Sequence, residues 1–147
     1  MYTASNSVRV GEIMSAPVIT ASLDESIKDI AIKMSTHNIN SVIVADKSNK
    51  PLGMVTERDI IRKLLARKRN LLFAKAKHIM TNPVVTISKD MTLEEAAKLM
   101  AEKHIKKLCV VDESSSIIGI ITESDIIKNA TYLIDVLKDI IETGYVK

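Results

Sequence analysis

Tryptophan is absent from this chain of 147 residues, and one phenylalanine and three tyrosines are its only aromatic side chains. A surface on which successive bases stack needs several exposed rings, so recognition of single-stranded nucleic acid by stacking is not expected. The single cysteine, Cys109, rules out an internal disulfide and a thiolate metal cage. Its setting, Leu108-Cys109-Val110-Val111, is that of a structural thiol in a reducing compartment, where burial raises rather than lowers its pKa. Four glycines and three prolines are too few for a collagen-like, linker-like or disordered chain. No charge-free run approaches membrane-spanning length and residues 1–8 hold no signal-peptide stretch, so the expectation is a soluble, cytoplasmic protein with no membrane contact. The formal net charge of +3 is too mild to announce a polyanionic partner.

What is present is aliphatic: 46% of residues are hydrophobic, with seven methionines available to fill gaps in a core without large rings. The length suits one compact domain or two half-size units sharing a core. The second alternative is favoured by an internal repeat. Ile13-Met14-Ser15-Ala16-Pro17-Val18-Ile19-Thr20 returns as Ile79-Met80-Thr81-Asn82-Pro83-Val84-Val85-Thr86, so that Met14 recurs as Met80 at an offset of 66 residues. The register holds without a gap through Asp24/Asp90, Met34/Met100, Asp46/Asp112 and Gly53/Gly119. It ends in Thr56-Glu57-Arg58-Asp59-Ile60-Ile61 against Thr122-Glu123-Ser124-Asp125-Ile126-Ile127. Two copies make a duplication, not a solenoid.

Each copy predicts the order β-α-β-β-α. Ser22 with Glu25 has the form of a capping box, and Ile27, Ile30, Ala31 and Met34 follow at helical spacing, as do Leu93, Ala96, Ala97 and Met100. Short buried strands are expected at Ser41–Ala45 and Lys107–Val111, then polar turns and second strands at Leu52–Thr56 and Ile117–Thr122. Second helices start at Thr56 and Thr122, the first of them running on through Asn70. About 55 residues bury too little alone, which implies an α+β protein whose two pseudo-symmetric units pack sheet to sheet. The expected organisation is a first unit at 8–66, a basic linker at 67–75, a second unit at 76–129 and an extra amphipathic C-terminal helix at 130–147.

Catalytic signatures are missing: there is no Gly-x-Ser-x-Gly elbow, Walker loop or Gly-x-Gly-x-x-Gly turn. His37, His78 and His104 are scattered without metal-ligand spacing, and His37 and His104 suit helix C-termini. The informative element is Gly-x-x-Thr-x-x-Asp, present as Gly53–Asp59 and Gly119–Asp125. It marks a strand running into a helix with threonine at the N-cap, where outward N–H groups favour an anion. An aspartate three residues on suits the paired hydroxyls of a ribose; together the two features describe a ribonucleotide seat. The same spacing also serves as a capping-box variant that stabilises the helix and nothing more.

With Val10-Gly11-Glu12-Ile13-Met14, the Pro-Val-x-Thr segments and Val110-Val111-Asp112, these motifs resemble a tandem pair of CBS domains, a stand-alone Bateman module of prokaryotic type, over residues 8 to 129. The resemblance implies a non-enzymatic regulatory module, an energy sensor that binds adenosine nucleotides (AMP, ADP or ATP, sometimes S-adenosylmethionine) in two clefts between its halves. No catalytic cofactor or metal is implied; a homodimer and an unknown effector protein in trans are. Asp59 and Asp125 would then hold ribose hydroxyls, Thr56 and Thr122 would contact phosphate, and Met54 and Ile120 would pack on adenine. Thr20 and Thr86 would line the same clefts, and Lys106, Lys107 and Arg58 would supply cations. Asn40-Ser41 and Ser124 replace those cations in the other copy, so unequal clefts are expected. The sequence departs from the family where Ile43 and Cys109 stand in place of a proline, and where Glu57 and Glu123 stand beside the expected phosphate. The alternative is a nucleic-acid-binding regulator using Arg58, Arg62, Lys63, Arg67, Lys68, Arg69, Lys75 and Lys77, which salt dependence would distinguish.

Overall fold

The computed structural model describes residues 8–130 and residue 142, so the C-terminal helix expected over 130–147 falls almost wholly outside the described residues. Each repeat opens with one helical turn, α1 (Val10–Ile13) or α4 (Ala76–Ile79), and passes through Pro17 or Pro83 into a short strand, β1 (Thr20–Ala21) or β4 (Thr86–Ser88). Helices α2 (Ile27–Thr36) and α5 (Leu93–Lys103) follow. Next come the hairpins β2 (Ser41–Ala45) with β3 (Pro51–Thr56), and β5 (Lys107–Val111) with β6 (Ile117–Thr122). These run directly into α3 (Glu57–Asp59), which widens into a π-helical turn at Ile60–Leu65, and into α6 (Glu123–Lys128). The β-α-β-β-α order holds in both copies.

Each sheet has three strands, β1-β2-β3 and β4-β5-β6, with the first pair parallel and the hairpin antiparallel. Both hairpin turns form because an aspartate folds back on the chain: Asp46 Oδ1 accepts from Ser48 N–H and Lys50 N–H, and Asp112 Oδ1 accepts from Ser114 N–H and Ser116 N–H. The central strands are apolar without alternation because both their faces are buried. Val42, Val44 and Val55 meet Ile27, Ile30 and Met34 of α2, and Leu108, Val110 and Ile121 meet Leu93, Ala96 and Met100 of α5. The opposite faces bring Ile43 and Cys109 together in a shared third cluster, the seam between the two sheets. Fully burying a side chain such as Ile43 contributes about 1.5–3 kcal/mol.

The leading segment of each repeat packs on the other one. Val10 of α1 joins the core of the second sheet, and its N–H donates to Met91 O at 2.8 Å. Ala76 and Ile79 of α4 join the core of the first, with the Ala76 N–H donating to Glu25 O at 2.9 Å. The repeat seen in the sequence and the unit that packs are therefore different sets of residues.

Three local expectations are corrected. The N-cap of α2 is Ser26, whose Oγ accepts from Asp29 N–H, as Thr92 Oγ1 accepts from Glu95 N–H in α5; Ser22 instead closes a turn through its carbonyl. Ala31 is exposed and Ala97 half-buried, because α2 and α5 bury a narrower stripe than the spacing implies. The helix beginning at Thr56 stops at Leu65 and turns out by Lys68, at φ 54°, well short of Asn70. His37 and His104 do cap α2 and α5 at their C-termini, His104 in the left-handed conformation that Asn38 adopts in the first repeat.

Candidate functional site

The two Gly-x-x-Thr-x-x-Asp corners sit where a central hairpin meets its helix. The segment after the opening turn of the other repeat is bonded to each by two main-chain hydrogen bonds. Thr81 exchanges them with Met54 (2.8 and 2.9 Å), and Ser15 with Ile120 (2.9 and 3.1 Å). Both corners are reciprocal capping boxes. Thr56 Oγ1 accepts from Asp59 N–H while Asp59 Oδ2 accepts from Thr56 N–H, and Thr122 and Asp125 repeat the exchange at 3.2 and 2.9 Å. Capping therefore uses one oxygen of each aspartate.

Helix capping also uses N–H groups expected to face outward. Glu57 N–H donates to Asn40 O and Glu123 N–H to Lys106 O, and the third N–H of each helix goes to its threonine. Of the first three in α6, only Ser124 N–H finds no acceptor among the described residues. The helix starts thus offer a phosphate fewer donors than the spacing alone predicts.

The remaining carboxylate oxygens differ sharply. Asp59 is buried, and its Oδ1 meets Lys63 Nζ at 3.0 Å and accepts from Thr81 Oγ1 at 3.2 Å. Lys63 Nζ also donates to Ile79 O and to Thr81 Oγ1, each at 3.1 Å, so three oxygens surround the ammonium. Asp125 Oδ1 takes no hydrogen bond from any described residue. At the positions matching Lys63 and Thr81 stand Asn129 and Ser15. Asn129 Nδ2 turns back to the main-chain oxygen of Asp125 at 2.8 Å and does not take the place of Lys63 at the carboxylate.

Asp125 opens on a cleft of about 520 Å³ shared by the two repeats. Val18, Ile19, Ile43 and Ile120 supply apolar walls. Thr122, Ser124 and Asn40 add neutral polar groups, and Glu57 and Lys128 bring opposite charges. Beside it, Lys107 Nζ donates to Asn40 Oδ1; burial pulls this ammonium below its ordinary pKa, with Glu57 working the other way. The arrangement can accept a diol at Asp125 beside a flat apolar body lying on Ile120 and Val18.

Of the residues singled out in the sequence, Ile120, Thr122 and Asp125 come together here. Met54, Thr56, Arg58 and Asp59 lie at the other corner. Asn40 and Ser41, not their counterparts Lys106 and Lys107, line this cleft. Thr20 lies instead on an open concavity of about 620 Å³ beside Asp24, Glu25 and Lys33, which holds no part of the repeated motif, and Thr86 is exposed on β4. Lys63 is the corner residue that the motifs do not point to; its signal in the sequence is its replacement by Asn129 in the second copy. The basic segment is partly committed: Lys75 and Lys77 pair with Asp24, whose carboxyl the Lys77 hydrogen bond holds below its usual pKa. Arg69 Nη1 donates to His78 O.

No helix among the described residues is long and apolar enough to cross a membrane. The family model for the CBS domain matches twice, over residues 10–66 and 76–132. An uncharacterized protein of Methanopyrus kandleri is 39% identical over 133 residues, which cover 90% of this chain and 68% of the relative. Inosine-5'-monophosphate dehydrogenase of Methanocaldococcus jannaschii is 34% identical over 124 residues, 84% of this chain but only 24% of the enzyme. Among solved structures, the CBS domain pair of protein MJ0100 in complex with 5'-methylthioadenosine and S-adenosyl-L-methionine superposes with a TM-score of 0.74 at 32% identity, covering 83% of this chain and 94% of that one. Two matched repeats, each closing on the other's sheet, make this chain a member of the CBS domain family, a tandem pair.

Proposed function

We propose that this CBS pair is a non-enzymatic regulatory module that binds an adenosine-bearing ligand in the cleft at Asp125 and conveys occupancy to a partner protein in trans. The observation that carries the reading is Asp125, whose Oδ1 takes no hydrogen bond from any described residue, on a cleft with apolar walls from both repeats. A carboxylate oxygen has two lone pairs, enough for the two hydroxyls of a ribose. Ile120 and Val18 offer the base a slot, and the hydroxyls of Thr122 and Ser124 and the Lys128 ammonium remain for whatever the 5' carbon bears. The MJ0100 complex, with two adenosine compounds bound to a CBS pair, supports the ligand class.

A ligand touching both repeats favours the arrangement in which both touch it, by its differential affinity for that arrangement. Self-association belongs to the same reading: Ile61 and Leu65 after α3, and the equivalent Ile127 of α6, are large apolar side chains left exposed. Calorimetric titration with adenosine, 5'-methylthioadenosine, S-adenosylmethionine, AMP, ADP and ATP tests the proposal. At least one should bind, and Asp125→Ala should weaken it by about a hundredfold, the value of two charge-assisted hydrogen bonds. Undiminished binding in Asp125→Ala would reduce Asp125 to a helix cap.

A further inference from the structure

We infer that Lys63 is a built-in lock on the first corner, holding Asp59 in an internal network and leaving this chain one working ligand seat with a second held latent. The inference rests on the reading of Asp125 as a ribose acceptor and extends it to the corner that looks equivalent in sequence.

The two corners share their backbone: the same capping box, the same pair of main-chain hydrogen bonds from Thr81 or Ser15, the same strand register. They part in their side chains, above all at Lys63 against Asn129 and Thr81 against Ser15. Lys63 puts an ammonium 3.0 Å from Asp59 Oδ1 and anchors it on Ile79 O and Thr81 Oγ1. The first corner is thereby closed by the other repeat: three oxygens hold the Lys63 ammonium, and Asp59 Oδ1 carries both a cation and a hydroxyl donor. Asn129, at the matching place, has a shorter side chain and no charge, and bonds to main chain instead.

Neutral hydroxyls cannot replace an ammonium on a carboxylate that is only 10% exposed. Displacing Lys63 would leave Asp59 buried without its counter-ion, and would also unpair the ammonium from Ile79 O and Thr81 Oγ1. The ligand would have to supply that deficit before gaining anything. The π-helical winding of Ile60–Leu65, absent from α6, carries Lys63 in this position.

The test is the stoichiometry of adenosine and 5'-methylthioadenosine binding, by titration calorimetry, on the whole chain and on Lys63→Asn and Lys63→Met. Wild type should take one molecule per chain. Both variants should take two, and Asp59→Ala added to either should return the count to one. Retained occupancy of the Asp125 seat shows within the same titration that each variant is folded. A count that stays at one in both Lys63 variants, or two equal sites in wild type, overturns the lock while leaving the Asp125 reading intact. No binding to any of the three proteins removes that reading, and the lock with it.

Discussion

Met14, from the opening segment of the first repeat, lies against the α-carbon of Gly119, in the space a β-carbon there would occupy. Its Cγ would be 2.9 Å from that β-carbon, with Sδ closer still. Met80 does the same to Gly53, with Sδ at 2.6 Å. The glycine of each Gly-x-x-Thr-x-x-Asp corner is thus required by the approach of the other repeat, not by a turn, and the two cross-repeat contacts place the corners.

Alanine at these glycines should separate them. At Gly119 the atoms nearest the intruding methyl all belong to the flexible Met14 side chain, whereas at Gly53 they include Thr81 O at 3.1 Å, on a residue held by two main-chain hydrogen bonds. Gly53→Ala should lose about 2–3 kcal/mol and Gly119→Ala about 1 kcal/mol. Urea unfolding should rank them in that order; equal losses would mean the Thr81 segment yields freely.

The two aspartates should differ in stability opposite to their effect on ligand. Asp59→Ala removes a cap, the counter-ion of Lys63 and the acceptor of Thr81 Oγ1, and should cost about 2–3 kcal/mol. Asp125→Ala removes a cap alone, worth about 1 kcal/mol. Thermal melts of the apo proteins should show the first several degrees below the second.

His104 holds φ 54° at the end of α5, a conformation that disfavours side chains with a β-carbon, and it is exposed. The first repeat puts Asn38 there, at φ 52°. His104→Gly should stabilise the protein by about 0.5–1 kcal/mol and His104→Asn by a smaller amount. A drop in melting temperature for both variants would show that the histidine ring makes a contact worth more than the strain.

Cys109 lies at the seam between the sheets, and burial pushes its thiol from the ordinary 9.0 up to about 11. The folded pKa is above the unfolded one, so the neutral thiol's contribution is complete below about pH 9 and is lost as pH rises toward about 11. Wild type should therefore lose more stability than Cys109→Ala between those limits, on top of the decline the two share. Native protein at pH 8 should react with a thiol reagent only as fast as it opens; rapid labelling would place the thiol nearer the surface.

Much of this was legible in the chain. The Met14/Met80 offset dictated the duplication, and unbroken apolar runs such as Val42-Ile43-Val44-Ala45 dictated strands buried on both faces. Thr56 and Thr122 announced their helices because a cap is local chemistry, satisfied within four residues. Ser26 was harder to tell from Ser22, since both are short hydroxyl residues ahead of the same apolar stripe and only the backbone angles choose between them.

The site was legible as a pattern and not as a cleft. Adjacent residues along a chain determine capping, strand register and turn, and those interactions form identically in both copies. The exchange of α1 and α4 between cores depends on contacts far apart in the chain, such as Val10 with Met91 and Ala76 with Glu25, which no local spacing encodes. The network of Lys63 with Ile79 and Thr81 also joins separate elements of the chain, and it makes two nearly identical motifs chemically unequal. Sequence determined that there are two corners with an aspartate in each; packing decided which carboxylate is left with an oxygen to offer.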